Sequence, residues 1–333
     1  MKIVIQIAKR APSALLVLLV LLFVVFCLQR LTPVNPARAL AGDRASESAL
    51  QSAYEQLGLD EPLYVQFVRS VTETLHGNLG ISGVTQRPVL DDLSVYLPAS
   101  LELLFAALLV AIPIGLILGV SSAQRSRGSG FLRFSLVLGS SVPIFLTALL
   151  LIIMMSQQLR VLPAAGQSSF TDGPIGPTGV LLLDALLAGR FDVFADGFSH
   201  LVLPALCLAI APAVAIGRVL RSSLSHTMRA DYIRTARMKG LSEFTVLRSH
   251  GLRNSINAPL SMAGIQIAAI IGSLVVVEDV FAWPGIGLYA VQALDRGDFT
   301  TISGVTLALG LIFVLANAVV DGLQMMADPR IAS

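Results

Sequence analysis

The sequence predicts an all-α integral membrane protein with six transmembrane helices, a structured helical extracytoplasmic segment after the first of them, and both termini in the cytoplasm. Three observations predict it. Hydrophobic residues make up 55% of the 333 residues and charged ones only 13%, with a mean hydropathy of +0.78, whereas a soluble domain carries about 25% charged residues. Apolar runs near the roughly 20 residues that a helix needs to cross a bilayer recur along the chain. Lys and Arg favour the N-terminus, the loops after the second and fourth runs and the C-terminus by roughly two to one, which the positive-inside rule assigns to the cytoplasm. This composition excludes an ordinary soluble enzyme, a disordered chain and a collagen-like one.

The first apolar run, Ala11 to Leu28, follows Lys2, Lys9 and Arg10. Ala39-Leu40-Ala41 resembles a cleavage site, but it lies too far past the run for a signal peptide, so a retained helix is expected. The second run spans Leu97 to Val120 with Pro113 inside, the third Phe131 to Met155 with Pro143, and the fourth Leu201 to Ile216 with Pro204 and Pro212. The fifth covers Pro259 to Val277 and the sixth Val305 to Met325. Residues 1–28 then hold the cytoplasmic start and first span, 29–96 the extracytoplasmic segment, 97–327 the transmembrane core with a cytoplasmic loop at 218–258, and 328–333 a tail.

Within 29–96, Ser46 and Glu47 open a helix that Gly58 ends, and Asp60, Glu61 and Pro62 open another that Gly77 stops. Tyr64, Phe67, Val68, Val71 and Leu75 stripe the second helix, as expected of a small cap packed on the bundle. The segment from Leu162 to Ser199 is rich in Gly and Pro early on, and its first half is expected to be irregular.

The net charge of +2 gives no reason to expect a nucleic-acid partner. Cys27 and Cys207 both lie in apolar runs, which argues against a disulfide framework, and the four histidines stand apart without ligand spacing, so no metal site is expected. No lysine follows a glycine in a P-loop pattern, so this chain is not expected to be an ATP-hydrolysing enzyme, and no cofactor is expected in it. Glu102 and Asp321 read as interfacial rather than as a coupling-ion site.

Leu220 to Pro259 is the least membrane-like long stretch. Asp231 to Met238 favours a short helix, Gly240 a left-handed turn that ends it, and Ser242 a cap for the next helix. A basic loop of this kind often does no more than set topology. Here Arg alternates with Ala and Leu between defined stops, as in a surface built to seat against something.

Asp231-Tyr232-Ile233-Arg234-Thr235-Ala236-Arg237-Met238-Lys239-Gly240-Leu241-Ser242 resembles the "EAA" loop of ATP-binding-cassette importer permeases, closest to the B-type subunit of the dipeptide/oligopeptide branch. Ala236 and Gly240 match its small positions and Pro259 its closing proline; Arg234-Thr235 stand where the generic motif has an acid, a basic variant common in the peptide branch. Further stretches resemble the same family in order: Thr32-Pro33-Val34-Asn35-Pro36-Ala37, Leu57-Gly58-Leu59-Asp60-Glu61-Pro62-Leu63, Gly77-Asn78-Leu79-Gly80, Leu97-Pro98-Ala99-Ser100-Leu101-Glu102, Phe281-Ala282-Trp283-Pro284-Gly285-Ile286-Gly287 and Asp328-Pro329-Arg330. The resemblance implies a permease of the bacterial cytoplasmic (inner) membrane that forms half of a transport pathway.

It also implies partners: a second homologous permease subunit, two ATPase subunits that carry ATP and Mg, and an extracytoplasmic substrate-binding protein. Asp231, Arg234, Ala236, Arg237, Lys239, Gly240, Leu241, Ser242 and Pro259 would then form the ATPase-coupling site, and Trp283, Pro284 and Gly285 a re-entrant loop near the outer gate. Local chemistry alone allows Trp283 to be an interfacial anchor in contact with membrane lipid. Ser261, Gln266, Gln292 and Asn317 are candidates to line a polar path. Di- or oligopeptides lead as substrates; glutathione, a nickel complex or another small solute fits the same importer class, and a self-sufficient secondary carrier or a membrane scaffold stands as the alternative of another class.

Overall fold

The computed structural model describes residues 2–31, 46–123, 142–170 and 176–327. The proline-rich stretch at Thr32–Ala37, the Ala39–Ala41 site, the loop after the second run, the start of the third at Phe131 and the Asp328–Arg330 signature lie outside the described residues. Among the described residues the regular structure is helical, with one isolated antiparallel bridge between Ile81 and Pro88.

α1 runs Lys2–Leu31. A helical hairpin follows, α2 (Glu47–Leu57) and α3 (Leu63–Leu75). The Ser46 hydroxyl accepts from the Ala49 amide and Gly58 ends α2 at φ +59°, so both caps are those the sequence calls for. α3 sits on the end of α1 through Phe67, whose ring meets Phe23 and Phe26 edge-on at 5.5 Å, and through the Arg30–Gln66 hydrogen bond.

Among the described residues four helices are long and apolar enough to cross a bilayer: α4 (Val89–Ala123), the long helix Phe191–Thr227, the helix Asn257–Val280, and the stretch Phe299–Val320 of the last helix. Two shorter apolar stretches, Leu15–Leu28 of α1 and Ile144–Gln158, accompany them. The latter is α5 (Ile144–Leu151) continued as a wider π-helical segment, Ile152–Gln158. Then come α6 (Leu181–Leu187), α7 (Phe191–Thr227), α8 (Asp231–Met238), α9 (Glu243–Thr245, continued as π-helix Val246–Leu252 and closed by Arg253–Ser255), α10 (Asn257–Val280), α11 (Ile286–Asp295) and α12 (Phe299–Ala327). Residues 159–170 and 176–180 carry no regular helix, in keeping with the Gly and Pro content there.

The fourth run, expected at Leu201 to Ile216, is far longer than hydropathy suggests: α7 has 37 residues, about 55 Å at 1.5 Å per residue. That exceeds a hydrocarbon core of about 30 Å, so the helix continues through polar ends that a hydropathy window discards. Pro204 and Pro212 sit inside it.

α4 and α7 run parallel and form the heart of the bundle. Ala107, Ala111, Gly115 and Gly119 recur every fourth residue on α4, and Ala205, Ala209, Ala213 and Gly217 on α7, and all eight are buried. Small residues at this spacing let two helices approach backbone to backbone. A Cβ on Gly115 would lie 2.9 Å from the Ala213 carbonyl oxygen, and one on Gly217 would lie 3.0 Å from that of Gly115. Beside this seam a larger core of Leu103, Leu208, Ile270, Leu274, Phe281 and Trp283 joins α10 to the pair. The N-terminal ends of α4, α7 and α12 and the C-terminal end of α10 gather at one end of the bundle, with the loops around 77–88 and 281–298 and residues 159–170 and 176–180. The α8–α9 hairpin stands at the other.

Candidate functional site

The hairpin grows directly out of α7. Thr227 is followed by a tight turn in which the Met228 amide donates to Leu224 O and the Ala230 amide to Thr227 O. α8 then forms with Asp231 in its first turn and Arg237 in its last, each favourable to the helix dipole. Ile233 and Ala236 face inward against Val246, with Met228 packed alongside, and fix α8 on α9.

Gly240 has φ +80°. Its amide donates to Arg237 O at 2.9 Å, and the Leu241 amide reaches back to Ala236 O at 3.4 Å. These are the two bonds of a Schellman stop, and they need a left-handed residue at this place. Ser242 opens α9, its hydroxyl accepting from the Thr245 amide at 3.2 Å. Across the corner the Arg237 guanidinium donates twice to Glu243, Nε to Oε1 at 2.7 Å and Nη2 to Oε2 at 3.1 Å. That pair holds the Glu243 carboxyl below its usual range and raises Arg237 further. The base of the hairpin is stitched to α7 by Ser255 Oγ donating to Thr227 Oγ1 at 2.9 Å and Ser223 Oγ donating to Ser255 O at 3.2 Å.

The outward face of this rigid unit is part apolar and part cationic. Met238 is 81% exposed and Phe244 70%, and Tyr232 and Leu241 are exposed as well. Arg234, Lys239, Gly240 and Ser242 share that surface, while Ala236 is buried inside the hairpin. Pro259 is buried in the first turn of α10.

The opposite end of the bundle is locked by carboxylates. Glu278, fully buried near the end of α10, accepts from Ser100 Oγ at 2.6 Å and from the Gly287 amide at 2.7 Å. Ser100 Oγ in turn accepts from the Ile286 amide at 2.8 Å, so two side chains from other helices satisfy the free N–H groups at the start of α11. Trp283 is 1% exposed and its Nε1 donates to Ala99 O at 2.9 Å. An anchor at the membrane surface would leave this ring exposed; here it is enclosed. Pro284 is half-buried and Gly285 buried, because the Glu278 carboxylate and Ser100 hydroxyl occupy the space a Gly285 side chain would need.

Glu102, read as interfacial, is instead buried and accepts from the Leu182 amide at 2.9 Å and Gln167 Nε2 at 2.8 Å. Asp92 accepts from Tyr289 OH at 2.7 Å and from Thr85, and Asp298 from Ser82 Oγ at 2.9 Å and Thr301 Oγ1 at 2.6 Å. The first turns of α4 thus fasten all three loop segments. Sequence reasoning gave no site role to Ser82, Ser100, Gln167 or Leu182, because their partners lie up to 216 residues away. The side chain of Asp321 lies outside the described residues.

The four candidate path residues are not brought together. Ser261 is exposed on the hairpin side of α10, its hydroxyl spent on Asn257 O, and Gln292 is exposed on α11 at the other end. Gln266 and Asn317 are half-buried and flank the contact of Gly264 with Val320, within one turn of it on α10 and α12. Asn317 Nδ2 donates to Phe313 O at 2.9 Å.

The described residues thus form a bundle of long apolar helices with a compact hairpin between two of them at one end. Residues 111–333 match the model of the "Binding-protein-dependent transport system inner membrane component", and residues 3–103 match the N-terminal model of the same systems. The chain belongs to this family of permease subunits. It is 40% identical over 326 residues to the "Probable D,D-dipeptide transport system permease protein DdpB" of Escherichia coli, covering 97% of this chain and 96% of that one. It is 36% identical to the "Dipeptide transport system permease protein DppB" of Alkalihalophilus pseudofirmus, covering 95% of each. The "Di/tripeptide transport system permease protein DppB" of Pseudomonas aeruginosa is 38% identical, with 92% of each covered. Among solved structures, a chain of the MetNI methionine ABC transporter in an inward-facing conformation superposes with a TM-score of 0.50 at 15% identity, over 72% of this chain and 94% of that one; this likeness is one of fold.

Proposed function

We propose that this chain is the permease subunit of an ATP-driven importer that moves di- or oligopeptides handed over by a separate extracytoplasmic binding protein. It sits in the bacterial cytoplasmic (inner) membrane with six spans, α1 and α5 adding to the four long helices, and with both termini and the α8–α9 hairpin in the cytoplasm. A second homologous permease subunit supplies the other half of the pathway. Two ATPase subunits bind ATP and Mg, which this chain has no P-loop to do.

The observation that carries this reading is the projecting hairpin. Its outer face offers exposed Met238, Phe244 and Leu241 among Arg234 and Lys239, a mixture suited to a groove on another protein. Its inner face is pinned to α7 and leads straight into α10. A push on α8 is therefore delivered to two long helices rather than absorbed in a loop. ATP-driven closure of the ATPases would move both hairpins of the permease pair and rock the spans between two accessibilities, with contacts made in only one state providing the coupling. Asp231, Arg234, Ala236, Arg237, Lys239, Gly240, Leu241 and Ser242 form the coupling element, with Pro259 at its exit into α10. Trp283, Pro284 and Gly285 belong to the outer gate. Gln266 and Asn317 are the better placed of the four candidate path residues, since both are half-buried near one helix contact.

Peptide as cargo is supported by the relatives named as dipeptide or di/tripeptide permeases, which align over 92–97% of this chain. Cells lacking this chain are expected to lose ATP-dependent uptake of labelled dipeptide and to regain it from a plasmid copy. Unchanged dipeptide uptake together with lost uptake of glutathione or a nickel complex would replace peptide by that solute.

A further inference from the structure

We infer that Glu278 is the latch of the outer gate, a positioning residue that holds α11 closed against α4 and lets go when the hairpin moves; this rests on the importer reading above. The latch joins three helices at one carboxylate: α10 through Glu278 itself, α4 through Ser100 at 2.6 Å and α11 through the Gly287 amide at 2.7 Å and the Leu288 amide at 3.3 Å. It is fully buried and its hydrogen-bond partners are neutral donors. Burying a carboxylate on neutral donors alone is costly, and a static joint is made more cheaply by a capping residue at the helix start itself. The start of α11 has glycine there: Gly285 shows no side-chain cap, and α11 depends on Glu278 and Ser100, residues of other helices.

The surroundings say which parts move. α4 and α7 are interlocked backbone to backbone at Gly115 and Gly217 and cannot slide past each other without opening that seam. α10 is one uninterrupted helix of 24 residues, about 36 Å, that begins two residues after the hairpin ends at Ser255 and carries Glu278 near its far end. It is a rigid connection between the proposed coupling element and the proposed gate. A tilt of α10 driven at Asn257 shifts Glu278 away from Ser100 and withdraws the cap from α11. Gly285 and Gly287 let α11 close on the carboxylate, since a Cβ on either would collide with it. The gate therefore has a closed state that is specifically stabilised and a release set off from the opposite side of the membrane.

The test uses the whole complex in vesicles, with partner permease, ATPases and binding protein. Glu278→Gln removes the charge and leaves one acceptor oxygen, so it cannot accept from both Ser100 and the α11 amides as the carboxylate does, and Ser100→Ala removes the α4 side of the latch while leaving the charge in place. Both variants are expected to raise ATP hydrolysis without binding protein by about tenfold and to lower peptide moved per ATP, at unchanged complex yield. Glu278→Asp is expected to recover part of the coupling. If hydrolysis without binding protein and peptide moved per ATP stay at the wild-type level per assembled complex in both variants, the latch is overturned and the carboxylate only builds the fold. A wild-type complex without binding-protein-dependent uptake overturns instead the importer reading on which the latch rests.

Discussion

Gly217 of α7 stands against Gly115 of α4 so closely that a Cβ on the first would lie 3.0 Å from the carbonyl oxygen of the second. Backbone on backbone leaves no side chain to rearrange. Gly115→Leu or Gly217→Val is expected to cost about 1–3 kcal/mol by overpacking and to lower both thermal stability in mild detergent and the amount of protein in the membrane. Gly272→Ala on α10 has open space around it and is expected to leave both unchanged. Equal losses at all three positions would contradict this packing.

Gly240 gives the cleanest separation of shape from space. A Cβ there meets nothing within 4 Å, so any effect of substitution comes from its φ of +80°. Gly240→Val is expected to uncouple uptake from ATP hydrolysis, at a conformational cost of about 1–2 kcal/mol. Gly240→Asn, which enters the left-handed region readily, is expected to keep most uptake. The two are compared by peptide uptake per ATP at equal expression.

The Arg237–Glu243 pair sets a pH window. Arg237 lowers the carboxyl of Glu243, so the pair contributes its stability above the ordinary carboxylate range and loses it only as pH falls through that lowered value. Hydrogen exchange of the Gly240–Thr245 amides, corrected for intrinsic rates, is expected to be flat between pH 7.5 and 5.5. Glu243→Gln is expected to raise it at every pH in that range. Because both side chains are exposed, high salt is expected to mimic the substitution in part.

Trp283 is the only tryptophan in the chain, which makes it a reporter of its own burial. Its emission is expected to be blue-shifted and resistant to acrylamide quenching. Trp283→Phe leaves Ala99 O without this donor and is expected to cost about 1 kcal/mol, read as a lower melting temperature. A red-shifted, readily quenched emission would return Trp283 to the membrane surface.

What the sequence disclosed follows from the range of the interactions. Ser46, Gly58, Gly240 and Ser242 act on amides within a few residues, and each was legible from residue type and position alone. The full length of α7 was not, because His200 and Arg218 interrupt its hydropathy while leaving its backbone helical. Glu102 looked interfacial because its partners, Gln167 and Leu182, are 65 and 80 residues away. The joint of Ser100 with Glu278 spans 178 residues and leaves no local mark. The four-residue spacing of Ala107, Ala111, Gly115 and Gly119 was present in the chain, and a scan for small residues at helical spacing finds it.

The most direct test of the account is a mild-detergent purification of the tagged chain from its native membrane, with mass spectrometry of what accompanies it. The account predicts a second permease of the same family and ATPase chains bearing P-loops. A lone chain or a homo-oligomer, unchanged across detergents, would contradict it.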